Sequence, residues 1–240
     1  MYSKRLLLSI LVLSVVFFSG FYGFSKFINQ RGLKDIDLMM TVKLQERIDK
    51  SSRLRLAELV GNIMEGSTFF ASPEVSTVVV IALGLFALVD FKKKKVRWGA
   101  LLIFLAFFLL VLGEIYGKSV VHHPSPPFYM IKNPTTVFPK NYINEQFSYP
   151  SGHAARAVFI SMIIFAVFNI HYPLFKKKTR WIPLSLLCAA YVFLVVVSRI
   201  YLGHHWFSDV FGGVLLGSGF GLLALAFMRR DPYNTKYMNS

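Results

Sequence analysis

The sequence is poor in cysteine and in charged residues. Its 240 residues include one cysteine, Cys188, which excludes an internal disulfide and any thiolate cluster for zinc or an iron–sulfur group. Only 16% of the residues are charged, whereas soluble domains contain about 25%. Because 55% of the residues are hydrophobic, a soluble domain would expose large apolar patches, and a disordered basic tail is excluded as well. The composition indicates a compact integral membrane protein.

Six apolar stretches are candidates for membrane-spanning helices, which need about 20 apolar residues each. The first, residues 6–24, is too long for a cleaved signal peptide, so we expect a retained helix. The others lie at about residues 69–89, 98–117, 157–170, 181–197 and 210–228. The stretch at 157–170 is short, but it extends back to His153 if its polar beginning lines a site rather than lipid. The sequence predicts an all-α, polytopic membrane bundle of six transmembrane helices.

Short basic clusters beside these stretches indicate how the chain is oriented in the membrane. They occupy residues 4–5, 92–97, 176–180 and 229–236, all on one side of a six-helix arrangement. That side holds 14 of the 27 basic residues but 2 of the 12 acidic ones, so the positive-inside rule predicts two cytoplasmic termini. We expect a multi-pass protein of the cell membrane (plasma or inner membrane) in contact with membrane lipids. The net charge of +15 then reflects topology and not a nucleic-acid partner; the oligomeric state stays open.

Two long segments lie on the outer side of this arrangement. Residues 29–67 mix aliphatic side chains with closely spaced charges, which is typical of one or two amphipathic helices in the membrane interface. Residues 118–150 are rich in Pro, Tyr, Phe and Asn and show no period, which indicates an ordered loop or lid. No internal repeat or second domain is visible, so we expect residues 1–240 to form a single integral-membrane domain.

A histidine and an aspartate stand at the beginning of the sixth predicted helix. His205 and Asp209 are four residues apart and can share a helix face. There the carboxylate can fix the imidazole tautomer and leave the other ring nitrogen free to attack as a nucleophile. An aspartate that only stabilises the helix dipole beside an interfacial histidine is the alternative. His204 faces another direction, because neighbouring residues on a helix do not share a face.

The tetrapeptide Pro-Ser-Gly-His precedes the fourth predicted helix, at residues 150–153. Ser151 and Gly152 can present a hydroxyl and backbone N–H groups to an anion at the positive end of the helix. His153 stands where an imidazolium can protonate a leaving oxygen. An ordinary serine cap followed by a glycine turn is the alternative for this stretch.

Two cations complete the polar set at the outer surface. Arg199 offers a planar fork suited to phosphate, and Lys118 offers a point charge. Either side chain can instead extend to the lipid headgroups. Glu114, four residues before Lys118, positions or neutralises that lysine.

Together these stretches resemble the three-part signature of the type-2 phosphatidic acid phosphatase superfamily, K-x6-R-P, P-S-G-H and S-R-x5-H-x3-D. The second and third parts match at every specified position, at residues 150–153 and 198–209. The first part departs, because Ser125 stands where the family has arginine. The loss of one charge-assisted contact weakens phosphate binding by about 1.5–3 kcal/mol. His122 or His123, when protonated, and Arg156 are candidate replacements.

The resemblance covers about residues 99–223 and implies a helical bundle whose catalytic core faces the extracytoplasmic side. It implies that His205, oriented by Asp209, attacks phosphorus, while His153 protonates the leaving oxygen and later deprotonates the water that hydrolyses the phosphohistidine. The implied phosphate ligands are Lys118, Ser151, Gly152 and Arg199, with His123, Ser125 and Arg156 as auxiliary candidates. No metal or cofactor is implied.

The implied substrate is a lipid phosphate or diphosphate. The family's substrates include phosphatidic acid, phosphatidylglycerol phosphate, polyprenyl diphosphates and phosphorylated lipid A, and the sequence does not choose among them. A lipid phosphotransferase with the same intermediate, and a catalytically impaired lipid-phosphate-binding membrane protein, are the alternatives. Gly213, Gly217 and Gly221 recur every four residues and indicate close helix packing.

Overall fold

The chain is almost entirely helical in the residues that a computed structural model describes, which are 4–50, 54–90, 95–132, 146–171 and 181–228. The helices in these ranges are α1 (Lys4–Phe27), α2 (Arg31–Lys50), α3 (Leu54–Phe69), α4 (Pro73–Leu88), α5 (Leu101–Val121), α6 (Gly152–His171), α7 (Trp181–Tyr201) and α8 (Phe207–Met228). A two-residue antiparallel pair, β1 (Val89–Asp90) and β2 (Lys95–Val96), lies between α4 and α5. Single 3-10 turns occur at Trp98–Ala100 and Phe128–Met130.

Four of these helices are long and apolar enough to cross a membrane: Lys4–Phe27, Trp98–Val121, Ile182–Tyr201 and Phe207–Met228. A fifth candidate is the pair Glu58–Phe69 and Pro73–Leu88, which is bent by 53°. The apolar part of α6 is shorter than the others. The prediction of an all-α membrane bundle is confirmed with four or five membrane-capable helices, and the count of six remains a prediction.

The second and fourth predicted stretches begin at different residues in the structure. The stretch predicted at 69–89 contains a break, because Ser72 caps a new helix that begins at Pro73; the Ser72 hydroxyl accepts from the Val75 N–H at 3.4 Å. The stretch predicted at 157–170 begins earlier, at Gly152, so its polar start is helical. The outer segment 29–67 contains two helices, α2 and α3, and the second leads into α4.

Helix α8 lies at the centre of the bundle, between α1, α5 and α6. Its contact with α6 is close because α8 carries glycine there. An added Cβ at Gly213 would overlap the carbonyl of Ser151, and one at Gly217 would overlap that of Ala155. The glycines therefore serve packing, and they bring the N-terminal ends of α6 and α8 together.

Some predicted features lie wholly or partly outside the described residues. These are the basic clusters at 92–97, 176–180 and 229–236, and the middle of the segment 118–150. Both ends of that segment are described, and an isolated bridge between Pro124 and Phe147 joins them.

Candidate active site

Asp209 lies in the first turn of α8 and is completely buried. Its Oδ2 accepts a hydrogen bond from the Trp206 backbone N–H at 2.8 Å, as the side chain at this helix position does in a capping box. Its Oδ1 accepts from Nδ1 of His123 at 2.9 Å, because a carboxylate can only accept. Two different neighbours therefore fix both oxygens of this carboxylate.

His205 lies in the turn between α7 and α8, with 4% of its surface exposed. Its Nδ1 is 3.6 Å from Oδ2 of Asp209, so the structure brings the two residues together. The expectation that His205 begins the helix is wrong, because Asp209 caps the N–H of Trp206 and α8 starts at Phe207. The turn is tied to α7, since the backbone N–H of His205 donates to the Arg199 carbonyl at 3.2 Å.

The environment of His205 favours its neutral form. Burial lowers the pKa of the imidazole, and the charge of Arg199 acts in the same direction, while Asp209 opposes both. Burial lowers the pKa of the adjacent His204 as well. A neutral imidazole with a carboxylate at Nδ1 retains a lone pair at Nε2, which a nucleophile requires.

The N-terminus of α6 faces the beginning of α8. The backbone N–H of Ser151 donates to the carbonyl of Asp209 at 2.9 Å, and α6 starts at Gly152. Among the described residues, the buried hydroxyl of Ser151 has no hydrogen-bond partner. His153 follows Gly152 in the first turn of α6, so it lies at the same helix end as Ser151. A free hydroxyl at a helix N-terminus suits an anion.

Glu114 joins Lys118 to Arg156 at the edge of this region. Nζ of Lys118 lies 3.3 Å from Oε1, and Nη1 of Arg156 donates to Oε2 at 2.5 Å. Nε of Arg156 donates to the Ala71 carbonyl at 3.0 Å, so this guanidinium is held on two sides. The carboxylate also lies against Gly152, where an added Cβ would overlap it.

Arg199 is in the last turn of α7 and is buried. Ser198, the first residue of the third motif, serves helix packing. Its hydroxyl donates to the Leu194 carbonyl at 2.6 Å and lies 2.8 Å from the hydroxyl of Ser67 on α3. This contact joins α3 to α7 beside the arginine.

Ser125 occupies the position of the family's arginine, and its N–H donates to the Gln146 carbonyl at 3.4 Å. Two of the three candidate replacements, Arg156 and His123, lie at different places. Arg156 lies beside Glu114 and Lys118. His123 is 2% exposed and lies beside Asp209.

Sequence reasoning missed Asp37, a buried residue of α2. Its two carboxylate oxygens accept from the backbone N–H and the hydroxyl of Ser208, at 2.8 and 2.6 Å. Burial raises the pKa of Asp37, although both hydrogen bonds act against this. Nothing in the spacing of residues 29–67 distinguishes this acid from its neighbours, since its partner is far away in the chain.

A groove of about 560 Å³ opens beside Lys118. Its polar end is formed by the Glu114–Lys118–Arg156 group, and apolar side chains of α4 and α5 continue it. The apolar part includes Pro73, Phe107, Val111, Ile115 and Phe147.

Comparison with known proteins places these residues in a family. The sequence profile of the PAP2 superfamily matches residues 109–233, which is more than half of the chain. The chain is 27% identical to phosphatidylglycerophosphatase B of Bacillus subtilis (strain 168) over 174 residues, covering 72% of this chain and 77% of that protein.

Two further relatives are similar over shorter stretches. The bacitracin transport permease protein BcrC of Bacillus licheniformis is 33% identical over 139 residues, 57% of this chain and 59% of that protein. The undecaprenyl-diphosphatase of Sulfolobus acidocaldarius is 33% identical over 146 residues, 60% of this chain and 62% of that protein.

Two crystal structures share the fold. A transmembrane PAP2-type phosphatidylglycerolphosphate phosphatase from Bacillus subtilis superposes with a TM-score of 0.69 at 21% identity, covering 93% of this chain and 96% of that one. Aquifex aeolicus LpxE superposes with a TM-score of 0.50 at 22% identity, covering 77% of this chain and 93% of that one.

Proposed function

The chain belongs to the PAP2 superfamily, and we propose that it is an integral-membrane phosphatase that hydrolyses a phosphomonoester or a diphosphate on a lipid. The observation that carries this proposal is the contact between His205 and Asp209 at the beginning of α8, directly beside the N-terminus of α6. It combines a buried imidazole next to a carboxylate with a helix end that suits a phosphate group.

The first step forms a bond from Nε2 of His205 to phosphorus and breaks the bond from phosphorus to the lipid oxygen. Asp209, whose Oδ2 lies 3.6 Å from Nδ1 of His205, stabilises the positive charge that develops on the ring. His153 gives its proton to the departing oxygen. In the second step His153 takes a proton from water, which attacks phosphorus, breaks the phosphorus–nitrogen bond and releases phosphate.

Neutral hydrogen-bond donors and positively charged side chains together hold the phosphate oxygens in this proposal. Ser151 and Gly152 supply a hydroxyl and a backbone N–H at the start of α6. Lys118 and Arg199 supply positive charge where the transferring group spreads its negative charge. We assign Arg156 to the support of this set, because Glu114 and the Ala71 carbonyl already engage it.

The groove beside Lys118 suits an amphiphile. The phosphate would lie at its polar end, and an acyl or prenyl chain would follow the apolar side chains of α4 and α5. The names of two relatives refer to phosphatidylglycerophosphate and undecaprenyl diphosphate, which are substrates of this kind. We propose one of these two classes, a phosphoglycerolipid or a polyprenyl diphosphate, as the substrate.

The membrane placement follows from the same proposal. Six spans result when α6 and the bent α3–α4 pair each cross the bilayer in addition to the four longer helices. With six spans, the basic clusters support cytoplasmic termini and a reaction on the extracytoplasmic face.

The test is phosphate release by the protein purified in detergent with EDTA present. The substrates are phosphatidic acid, phosphatidylglycerophosphate and undecaprenyl diphosphate. His205→Ala should abolish release, and His204→Ala, the adjacent matched control, should retain it. Release that persists in His205→Ala would contradict the proposal, and so would saturable binding by wild type without turnover. Product formed only when an alcohol acceptor is added would indicate phosphotransfer.

A further inference from the structure

His123 lies between two buried carboxylates from different helices. Its Nδ1 donates to Oδ1 of Asp209 on α8 at 2.9 Å, and its Nε2 is 3.9 Å from Oδ2 of Asp37 on α2. His123 and Asp37 are each 2% exposed, and Asp209 is completely buried. Water therefore has little access to the imidazole, whose two nitrogens are directed at protein groups.

Asp37 caps α8 from another part of the chain. Its oxygens accept from the N–H and the hydroxyl of Ser208, in the first turn of α8. A carboxylate at this place binds N–H groups that the helix cannot satisfy, and it stabilises the helix dipole. The same turn contains Asp209, so Asp37 acts on the backbone that carries the carboxylate beside His205.

The backbone around His123 is fixed from two sides. The His123 carbonyl accepts from the Ser148 N–H at 2.9 Å. The carbonyl of the next residue, Pro124, accepts from Nε1 of Trp206 at 2.8 Å. Trp206 in turn donates its N–H to Asp209. The imidazole is thus held against the start of α8 by its neighbours as well as by its own hydrogen bond.

We propose that Asp37 and His123 are positioning residues of the phosphatase reaction, and that α2 is for this reason part of the catalytic apparatus. His123 donates to one oxygen of Asp209 and leaves the other for Trp206 and His205. Asp37 holds the first turn of α8 and faces the far nitrogen of His123. The inference rests on the proposed function, since it concerns the orientation of His205.

This role differs from phosphate binding, and kinetics separate the two. A residue that orients the nucleophile affects the rate of the chemical step, so its loss lowers kcat and leaves KM unchanged. A residue that binds the phosphate in place of the missing arginine would affect KM. The hydrogen bond to Asp209 involves a charged group, so its loss should lower kcat about ten- to one-hundredfold.

The test uses two substitutions of His123 that differ in which nitrogen they replace. In His123→Asn the side-chain amide lies near the position of Nδ1 and can still donate to Asp209. In His123→Gln it lies near the position of Nε2, toward Asp37. The third variant is Asp37→Asn, and its matched control is Asp35→Asn, an exposed acid on the same helix. Steady-state kinetics are measured on the full-length protein in detergent, with melting temperatures to show that each variant is folded.

We expect His123→Gln and Asp37→Asn to lose about tenfold or more in kcat at unchanged KM, and His123→Asn to lose much less than His123→Gln. Asp35→Asn should remain near wild type. Equal loss in His123→Asn and His123→Gln would overturn the inference, and so would a rise in KM alone or wild-type kinetics in all variants. In each of these cases lipid phosphatase activity of the wild type would leave the proposed function intact. A wild type that releases no phosphate overturns both.

Discussion

Oε1 of Glu114 lies 3.3 Å from Nζ of Lys118, one turn further along α5. The other oxygen of the same carboxylate accepts from Arg156 on α6, so one acid joins two cations from two helices. The carboxylate also lies against Gly152, at the helix end that we propose for the phosphate. Glu114 therefore limits the positive charge that a bound phosphate experiences there, and it links that helix end to α5.

Glu114→Gln should destabilise the fold. The substitution leaves the buried guanidinium of Arg156 without a charged partner, and breaking one side of a buried ion pair costs about 3–5 kcal/mol. Scanning fluorimetry in detergent should show a lower melting temperature than that of wild type. Adding Arg156→Met to the Glu114→Gln variant removes the unpaired charge and should restore part of the lost stability.

The matched control for this prediction is Glu46→Gln. Glu46 and Lys50 form another pair four residues apart, at 3.4 Å, but both side chains are mostly exposed. Such pairs contribute about 0–1 kcal/mol, so the control should melt almost as wild type does. Equal melting temperatures for Glu114→Gln and Glu46→Gln would contradict the role of the buried pair.

The acid side of the pH profile should reflect His205. Burial lowers the pKa of its imidazole below the ordinary value of 6.5, with Arg199 acting in the same direction. The free enzyme then keeps a neutral nucleophile as the pH falls through about 6.5, and kcat/KM should decline only at lower pH. The measurement is kcat/KM against pH, corrected for the ionisation of the substrate phosphate as followed by phosphorus NMR.

The same shift has a consequence for stability. A histidine whose pKa is lower in the folded than in the unfolded state contributes its full stability at pH values above the unfolded pKa. This contribution is lost as the pH falls from the unfolded pKa through the folded pKa. Melting temperatures of wild type should therefore fall more steeply below pH 6.5 than those of His205→Asn. Parallel curves, or a kinetic midpoint at or above 6.5, would contradict the burial of a neutral imidazole.

Local patterns were enough to predict the helical membrane class and the residues of the second and third motifs. Long apolar runs indicate helices that can cross a membrane. The four-residue spacing of His205 and Asp209 brings these two residues together even though α8 starts only at Phe207. The first residue of α8 was not predicted correctly, because it depends on the hydrogen bond from the Trp206 N–H to Asp209, which hydropathy does not describe.

Contacts between distant parts of the chain were not predictable in this way. Arg156 and Glu114 are 42 residues apart, and Ser208 and Asp37 are 171 apart. No periodicity connects such positions, because their meeting depends on how α2, α5, α6 and α8 pack. The sequence indicated that His123 was a candidate phosphate ligand, but only the packing showed a second carboxylate, Asp37, beside it.

Ser125→Arg should lower KM for a lipid phosphomonoester. The substitution restores the guanidinium of the family signature, and one charge-assisted hydrogen bond contributes about 1.5–3 kcal/mol, equivalent to about tenfold or more in affinity. Ser125→Lys should gain less, because an ammonium group lacks the planar fork that matches phosphate oxygens. An unchanged or higher KM for Ser125→Arg would show that this position does not face the phosphate.

Gly217 of α8 should be more sensitive to substitution than Gly20 of α1. In Gly217→Ala the new methyl group would overlap the backbone of Ala155, which cannot move aside as a flexible side chain can, so α6 and α8 must separate. Overpacking of this kind costs about 1–3 kcal/mol, and separation of the two helices also moves Ser151 away from Asp209. Both the melting temperature and kcat should therefore fall.

Gly20→Ala on α1 is the matched control, because its added Cβ would lie 3.9 Å from Leu215, an ordinary contact distance. This control should be as stable as wild type or slightly more stable, since alanine favours a helix over glycine by about 1 kcal/mol. Equal behaviour of the two variants would mean that the close approach of α6 and α8 does not determine the geometry of the site.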